Sequence, residues 1–401
     1  MPHHPGGRRP PTGRRIELVD CAAYDGCMAA DPAASTPTPP TADPVYRSAL
    51  LGLPGAVPAE APDNGVAWHY GDPIAEQRAA DRATGLVDLS HRDVLAVPGT
   101  DRLTWLHALT SQAVQDLADG STVDALILSP HGHVEHHLTI TDLGGVSYLD
   151  TEPGRGAGLL SYLESMRFWS DVQPAPTDLG LLALAGPSAV DTARAAGLPV
   201  PEPGSAVTIA DGFVRTTPAG IEIAVPRTDI GDVAGRLIAA GARPAGSWAI
   251  TALRIAGRRP RLGVDTDERT IPHEVGWLET AVHLDKGCYR GQETVARVHN
   301  LGRPPRRLVL LNLDGSVETL PQPGDAVLTA EGRAVGRVGS VAHHHESGPI
   351  ALALVKRAVS PDVPLLAGGV DAVMDPDDAV PAEGPPTSAV DRRSLPDLRR
   401  R

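Results

Sequence analysis

Eight residues in the last third of the chain, KGCYRGQE (286–293), gather the groups with the clearest capacity for chemistry. Cys288 carries a thiol two positions after the ammonium of Lys286 and three before Gly291. The residues from Gln292 to His299 have helical character, with Val295 and Val298 three apart on one face. Cys288 therefore falls just before a predicted helix start. The unpaired N–H groups and the dipole of such a start favour an anion. That anion is either the thiolate itself, which a neighbouring ammonium also favours, or a carboxylate or phosphate of a ligand. The third reading is a small buried hydrophobe in a loop, since free cysteine is among the most buried residue types. The stretch Asp285 to Arg307 sets Lys286, Arg290, Arg297, Arg303, Arg306 and Arg307 against Asp285 and Glu293, a local charge of +4 in a chain of net charge −13. Only Lys286 and Lys356 among the 36 Lys and Arg residues are lysines. Lys286 thus marks a position where a compact point charge serves and arginine's planar fork does not.

Histidine supplies the second constellation. HGHVEHH (131–137) and the run His343 to His345 invite a metal reading, because His133, Glu135 and His137 would share one face of a strand. Residues two apart on a strand need a third ligand from elsewhere, and the His run reads as a surface turn before Gly348. No metal site is expected. Two arginine clusters follow: Arg254, Arg258, Arg259 and Arg261, then Arg303, Arg306 and Arg307. Arginine binds carboxylates bidentately, so each cluster is either an anion site or solvated surface.

The 401 residues suffice for two or three domains, with 41% hydrophobic and 21% charged residues, as in globular proteins. No apolar run reaches the roughly 18–20 residues of a membrane-spanning helix. The acidic balance argues against direct nucleic-acid binding. Three cysteines, Cys21, Cys27 and Cys288, make no disulfide framework. The basic N-terminus has no apolar segment of the secretory type, and the cytoplasm is the expected compartment. Residues 1–44 and 375–401, rich in Pro, Ala, Thr and Gly or in charge, are expected to be disordered, with Met28 a candidate start.

Between these ends the pattern alternates. Strands are predicted over 93–99, 123–150 (three, with turns at Pro130-His131-Gly132 and Gly144-Gly145) and 179–186, with a hairpin over 213–226. Helices are predicted over 101–109, 156–166, 187–197, 229–240 and 247–256. From residue 301 to 374 the reading is all-β, a small closed or sandwich-like module.

KGCYRGQE resembles the Lys-Gly-Cys-Tyr-x-Gly-Gln-Glu signature of the YgfZ/CAF17 family, relatives of the glycine-cleavage T-protein. All seven defined positions match: Lys286, Gly287, Cys288, Tyr289, Gly291, Gln292 and Glu293. Ala296-Arg297, His299, Gly302 and Arg306-Arg307 resemble its continuation, and LRIAGRRPRLGVDTDERTIPHE (253–274) its upstream segment. The resemblance spans roughly residues 80 to 370. It implies an α+β, T-protein-like ring of three subdomains around a central folate channel: two intertwined α+β subdomains over 45–300, and a small C-terminal β-barrel over 301–374. It implies binding of tetrahydrofolate or a one-carbon derivative, and support of Fe–S enzymes or assembly factors, as a monomer with no membrane partner. In the family the cysteine of this signature is the residue most tied to function, which carries onto Cys288 alone, and Lys286 is the candidate group beside it. The candidate folate-binding residues are Arg254, Glu274, Trp277, Tyr289, Gln292 and Glu293, with Trp277 the ring to test for pterin contact. In one respect the chain departs from the T-protein. Where that protein resembles Gly-Gly-x-x-Asp-Asp-Leu, this chain has His136-His137, and Pro218 replaces a hairpin glutamate, leaving Glu222. Aminomethyl transfer is the alternative activity, and the lost acids count against it. A binding module for tRNA-modifying or other partners, with a vestigial folate site, is the other.

Overall fold

The computed structural model describes residues 46–378, so the readings on residues 1–44 and on 379–401 fall outside the described residues. After a 3-10 turn, Ala49–Gly52, a two-stranded hairpin of β1 (Val57–Pro58) and β2 (Ala67–His69) leads into α1 (Pro73–Arg82). The α1 start is encoded locally. Pro73 presets the first turn, and the Asp72 side chain accepts the Ala75 N–H at 2.9 Å. Then come β3 (Gly85–Asp88), β4 (Asp93–Pro98), α2 (Arg102–Leu109), β5 (Ser121–Leu128), β6 (Val134–Leu143), β7 (Val146–Thr151) and α3 (Gly156–Ser165). Next are β8 (Ala175–Pro176), β9 (Leu179–Ala185), α4 (Ala189–Ala195), β10 (Ala206–Ile209), β11 (Gly212–Thr217), β12 (Gly220–Pro226), α5 (Ile230–Ala239), β13 (Arg243–Ala245) and α6 (Ser247–Ala256). Two helices, α7 (Trp277–Ala281) and α8 (Gln292–Leu301), precede six strands: β14 (Arg306–Leu313), β15 (Ala326–Thr329), β16 (Ala334–His344), β17 (Gly348–Lys356), β18 (Leu365–Ala367) and β19 (Val370–Met374).

Three sheets result. β5-β6-β7-β4-β8 is antiparallel, with α2 and α3 on one face. Strand alternation sends Leu138 and Ile140 of β6 to that helical face, where both are fully buried, together with Trp105, Leu106, Leu159 and Leu163. Each such side chain contributes about 1.5–3 kcal/mol. The second sheet, β10-β11-β12-β9-β3-β13, is covered by α4 and α5 and is antiparallel except for the β3/β13 pair. The two sheets also meet: Val94, Leu181, Phe213 and Ala224 form an apolar seam between them. The third sheet closes into the barrel β14-β17-β16-β15-β18-β19, filled by Val309, Leu311, Val327, Val338, Ala353 and Val355. Closure leaves no open edge. α6 seats the barrel through Ala252 and Ile255 against Leu310, Ala342, Ile350 and Leu352.

The α+β class, the predicted strands and helices, and the C-terminal all-β module therefore hold. The barrel's expected limits shift. α8 runs to Leu301, so the first barrel strand begins at Arg306. The chain also stays packed beyond 374: Asp378 accepts the Leu310 N–H at 2.6 Å and Arg258 Nε at 2.8 Å, and its carbonyl accepts Arg307 Nη1 at 2.6 Å.

Candidate functional site

The signature residues form the loop before α8. Its glycine is required twice over. Gly291 has φ +81°, a left-handed conformation that glycine adopts freely. A Cβ there would also lie 2.5 Å from the Ser129 carbonyl oxygen and 2.9 Å from the Cα of Gly132. Gly132 itself has φ +78°, and a Cβ on it would meet Thr294 of α8 at 2.7 Å. The loop and the β5–β6 turn thus touch backbone to backbone. Arg290 Nη1 reaches across to Glu135 Oε2 at 2.9 Å.

Within the loop each side chain has a definite place. Lys286 Nζ donates to the carbonyls of His107, of Thr110 at 2.5 Å and of Gln112 at 3.2 Å, at and just beyond the end of α2. A helix C-terminus is partially negative, and three converging oxygens suit a three-proton point charge. Burial alone pulls the Lys286 pKa down to about 8, while the carbonyls favour the ammonium. All three of its donors are committed, so Lys286 anchors the loop and has no proton left for Cys288. Its ammonium also lies 5.0 Å from the Tyr289 ring centroid. Tyr289 is half buried, and burial pushes its hydroxyl up to about 12. The Gln292 side chain accepts the Tyr289 N–H at 3.0 Å, closing the turn. Glu293 is exposed on the first turn of α8. Cys288 is a free, exposed thiol. The reading of a buried small residue is therefore excluded.

Glu274 and Trp277 lie behind this loop. Glu274 is buried, accepts Arg306 through both carboxylate oxygens at 2.8 Å, and takes the Ile271 N–H at 3.1 Å. Trp277, 4% exposed, stacks face to face on His137, with centroids 4.6 Å apart and planes 8° apart. The imidazole thus covers one face of the Trp277 ring. Arg254 stands apart from the loop. Its guanidinium is spent on Asp265 at 2.7 Å, on the Arg259 carbonyl at 2.6 Å and on Ser340, fastening α6 to the barrel. The arginine clusters behave alike: Arg258 pairs with Asp375 and Asp378, Arg261 with Asp63 and Glu152, and Arg306 with Asp267 and Glu274. These three bind the chain's own carboxylates, while Arg307 donates to the carbonyls of Asp378 and Val359. Among the described residues, no three His, Cys, Asp or Glu side chains converge as metal ligands.

One ionic chain at the centre was not read from the sequence. Glu222 pairs with Arg215 at 2.8 Å, Arg215 with Asp150 at 2.6 Å, and Asp150 with Arg92 at 3.1 Å. Arg92 pairs with Glu152 at 3.2 Å, Glu152 with Arg261 at 2.7 Å, and Arg261 with Asp63 at 2.7 Å. It lies beside His137, which feels Asp124, Glu152, Arg92 and Asp150. The β11–β12 register carries the available signal, since Arg215 stands directly opposite Glu222. Burial opposes ionisation, yet Arg92 and Arg261 hold the Glu152 carboxyl down at about 2. Burial, aided by Arg155, pulls His136 down to about 4, and burial likewise lowers His137. Both imidazoles are neutral near pH 7. His136 Nδ1 and His137 Nε2 are buried without hydrogen-bond partners.

Next to this centre is a cavity of about 620 Å³. It is bounded by the β5–β6 turn (Ser129, His133, Glu135), Arg155 at the start of α3, the segment Leu262 to Glu268, and Arg337 of β16. Its size suits a ligand rather than a few waters.

Comparisons with known proteins agree with this architecture. Residues 58–197 match the GCVT N-terminal domain, and residues 306–385 match the CAF17 C-terminal beta-barrel domain. An aminomethyltransferase of Thermus thermophilus is 30% identical over 294 residues, covering 68% of this chain and 79% of that one. A chloroplastic protein of Arabidopsis thaliana, named as a transferase, is 27% identical over 322 residues, covering 74% and 70%. The crystal structure of the glycine cleavage system aminomethyltransferase T from Bartonella henselae superposes with a TM-score of 0.72 at 22% identity. It covers 80% of this chain and 92% of that one, a likeness of fold.

Proposed function

From its membership of the YgfZ/CAF17 family of GcvT-like proteins, to which this chain belongs, we propose that it binds tetrahydrofolate or a one-carbon derivative. We assign it an accessory role in the assembly or repair of Fe–S enzymes, with Cys288 as its reactive group. No helix among the described residues is long and apolar enough to cross a membrane.

The observation that carries this reading is the contrast in acid–base resources. General acid–base catalysis needs a group free to take or give a proton with a pKa near the working pH, and a lowered pKa makes an imidazole a weaker base. The positions resembling the T-protein's aspartates hold His136 and His137, both held neutral, and Asp150, Glu152 and Glu222 are locked to arginines. The ligand-sized cavity beside them remains. Binding without aminomethyl transfer is what such a site supports. Lys286, Tyr289, Gln292 and Glu274 act by holding the Cys288 loop and its support, and the buried Trp277, stacked on His137, backs it. Arg254 supports the site from a distance by fixing α6 to the barrel.

The lone thiol cannot hold a cluster by itself, so its proposed role needs ligands from a partner enzyme or assembly factor. Titration with tetrahydrofolate, followed by tryptophan fluorescence or calorimetry, tests the binding. A one-carbon transfer assay tests the alternative activity. Binding without turnover is the expected result. Turnover at rates typical of aminomethyltransferases would replace this reading with an enzymatic one.

A further inference from the structure

The centre of this protein pairs its arginines. Arg92, Arg215, Arg254, Arg261, Arg290 and Arg306 each donate to an aspartate or glutamate. Arg155 differs. It is half buried at the start of α3, yet among the described residues its guanidinium has no hydrogen bond and no ion pair. It lies in the wall of the 620 Å³ cavity against Gly263, where a Cβ would collide with its Nη2. Glycine at 263 is what leaves the guanidinium its place.

The cavity's other charges are accounted for. Glu135 is paired with Arg290, and Asp267 with Arg306. Arg337 donates to the carbonyls of Val264 at 3.1 Å and Thr266 at 3.2 Å. Glu268 is exposed at the rim. The first N–H of α3 is taken by Asp93 at 2.8 Å, so the helix start is not the free donor. What remains is a planar fork of N–H donors in a cavity wall, with its countercharge missing. A partly desolvated guanidinium in that state favours a carboxylate over any neutral group. Its positive field already reaches the buried ring of His136.

We propose that Arg155 binds a carboxylate of the glutamate tail of folate, so that the cavity selects tetrahydrofolate over pterins that lack the tail. This rests on the folate reading above and adds the residue that sets its specificity. The test is calorimetric titration of the wild type, Arg155→Gln and Arg155→Lys with tetrahydrofolate and with 6-methyltetrahydropterin, which lacks the p-aminobenzoylglutamate. Arg155→Gln should weaken tetrahydrofolate binding about 10- to 100-fold, the range of a charged hydrogen-bonded pair. It should leave 6-methyltetrahydropterin binding within about twofold, and Arg155→Lys should fall between. The melting temperature of Arg155→Gln should match the wild type, because no internal partner is lost. Unchanged tetrahydrofolate affinity, equal losses for both ligands, or a melting point lowered by many degrees would each overturn the assignment while leaving the folate reading in place. A wild type that binds neither ligand would overturn the folate reading and this inference with it.

Discussion

Two regions of this molecule treat charge in opposite ways. Between the two α/β sheets, Asp63, Arg261, Glu152, Arg92, Asp150, Arg215 and Glu222 form one continuous chain in which every charge meets its opposite. In the loop 286–291, one lysine is spent on three carbonyls, Gly291 closes a backbone contact with Gly132 of the β5–β6 turn, and the thiol of Cys288 faces solvent. In the first region the acids are neutralised in place. The second is ordered so that one nucleophilic atom is presented. A fold can keep its frame while the chemistry of its site changes.

The largest effect should come from cutting the central chain. Arg215 is 2% exposed, and Arg215→Ala would strand Glu222 and leave Asp150 with Arg92 alone. Removing one partner of a buried pair costs about 3–5 kcal/mol. We expect a fall of that size in unfolding free energy by denaturant titration. A loss below about 1 kcal/mol would mean that water reaches the pairs and that the region is not the closed network described here.

Acid should discriminate the regions next. Glu152 titrates at about 2 in the folded chain, below the roughly 4.3 of a free glutamate. A depressed carboxylate gives stability that is full above the unfolded value and is lost as pH falls toward the folded one. His136 adds to this, since its folded value of about 4 lies below the free imidazole value of about 6.5. The unfolded chain then takes up protons first between those two values. Melting temperature should therefore fall steadily from about pH 6.5 to pH 3. A flat profile over that range would break the account of the centre.

The loop predictions are smaller. Gly291→Ala combines a positive φ with a 2.5 Å contact to the Ser129 carbonyl, and strain of this kind costs on the order of 1–3 kcal/mol. It should also displace the thiol, read as a changed alkylation rate at Cys288. Lys286→Gln removes the cation at the end of α2, a loss of about 1 kcal/mol. Lys286→Arg should not restore it, because a planar fork cannot serve three converging carbonyls.

Much of the fold could be read in advance because its signals are local. The alternation in 123–150 fixes β5, β6 and β7, and the change in pattern after Gly302 marks the barrel. The short β3 could not be read: all four of its residues are buried, so Gly85–Asp88 shows no period, and its parallel partner β13 lies about 160 residues away. The site divides in the same way. The signature motif was readable as a contiguous string, and Lys286 stood out against a background of arginines. The roles of Arg254 and Glu274 were not readable. Their partners, Asp265 and Ser340 for one and Arg306 for the other, are chosen by tertiary packing. Arg155 was invisible for the converse reason: it is distinguished by a partner it lacks.

We propose that this protein presents a reactive thiol on a folate-binding frame. Cys288 is exposed and its sulfur supports no packing, so Cys288→Ser should change unfolding free energy by less than about 0.5 kcal/mol and leave tetrahydrofolate affinity within twofold. The decisive measurement is Fe–S enzyme activity in cells lacking the protein and supplied with either the wild type or Cys288→Ser at equal abundance. The account predicts restoration by the wild type and none by the serine variant. Full restoration by the serine variant would contradict it.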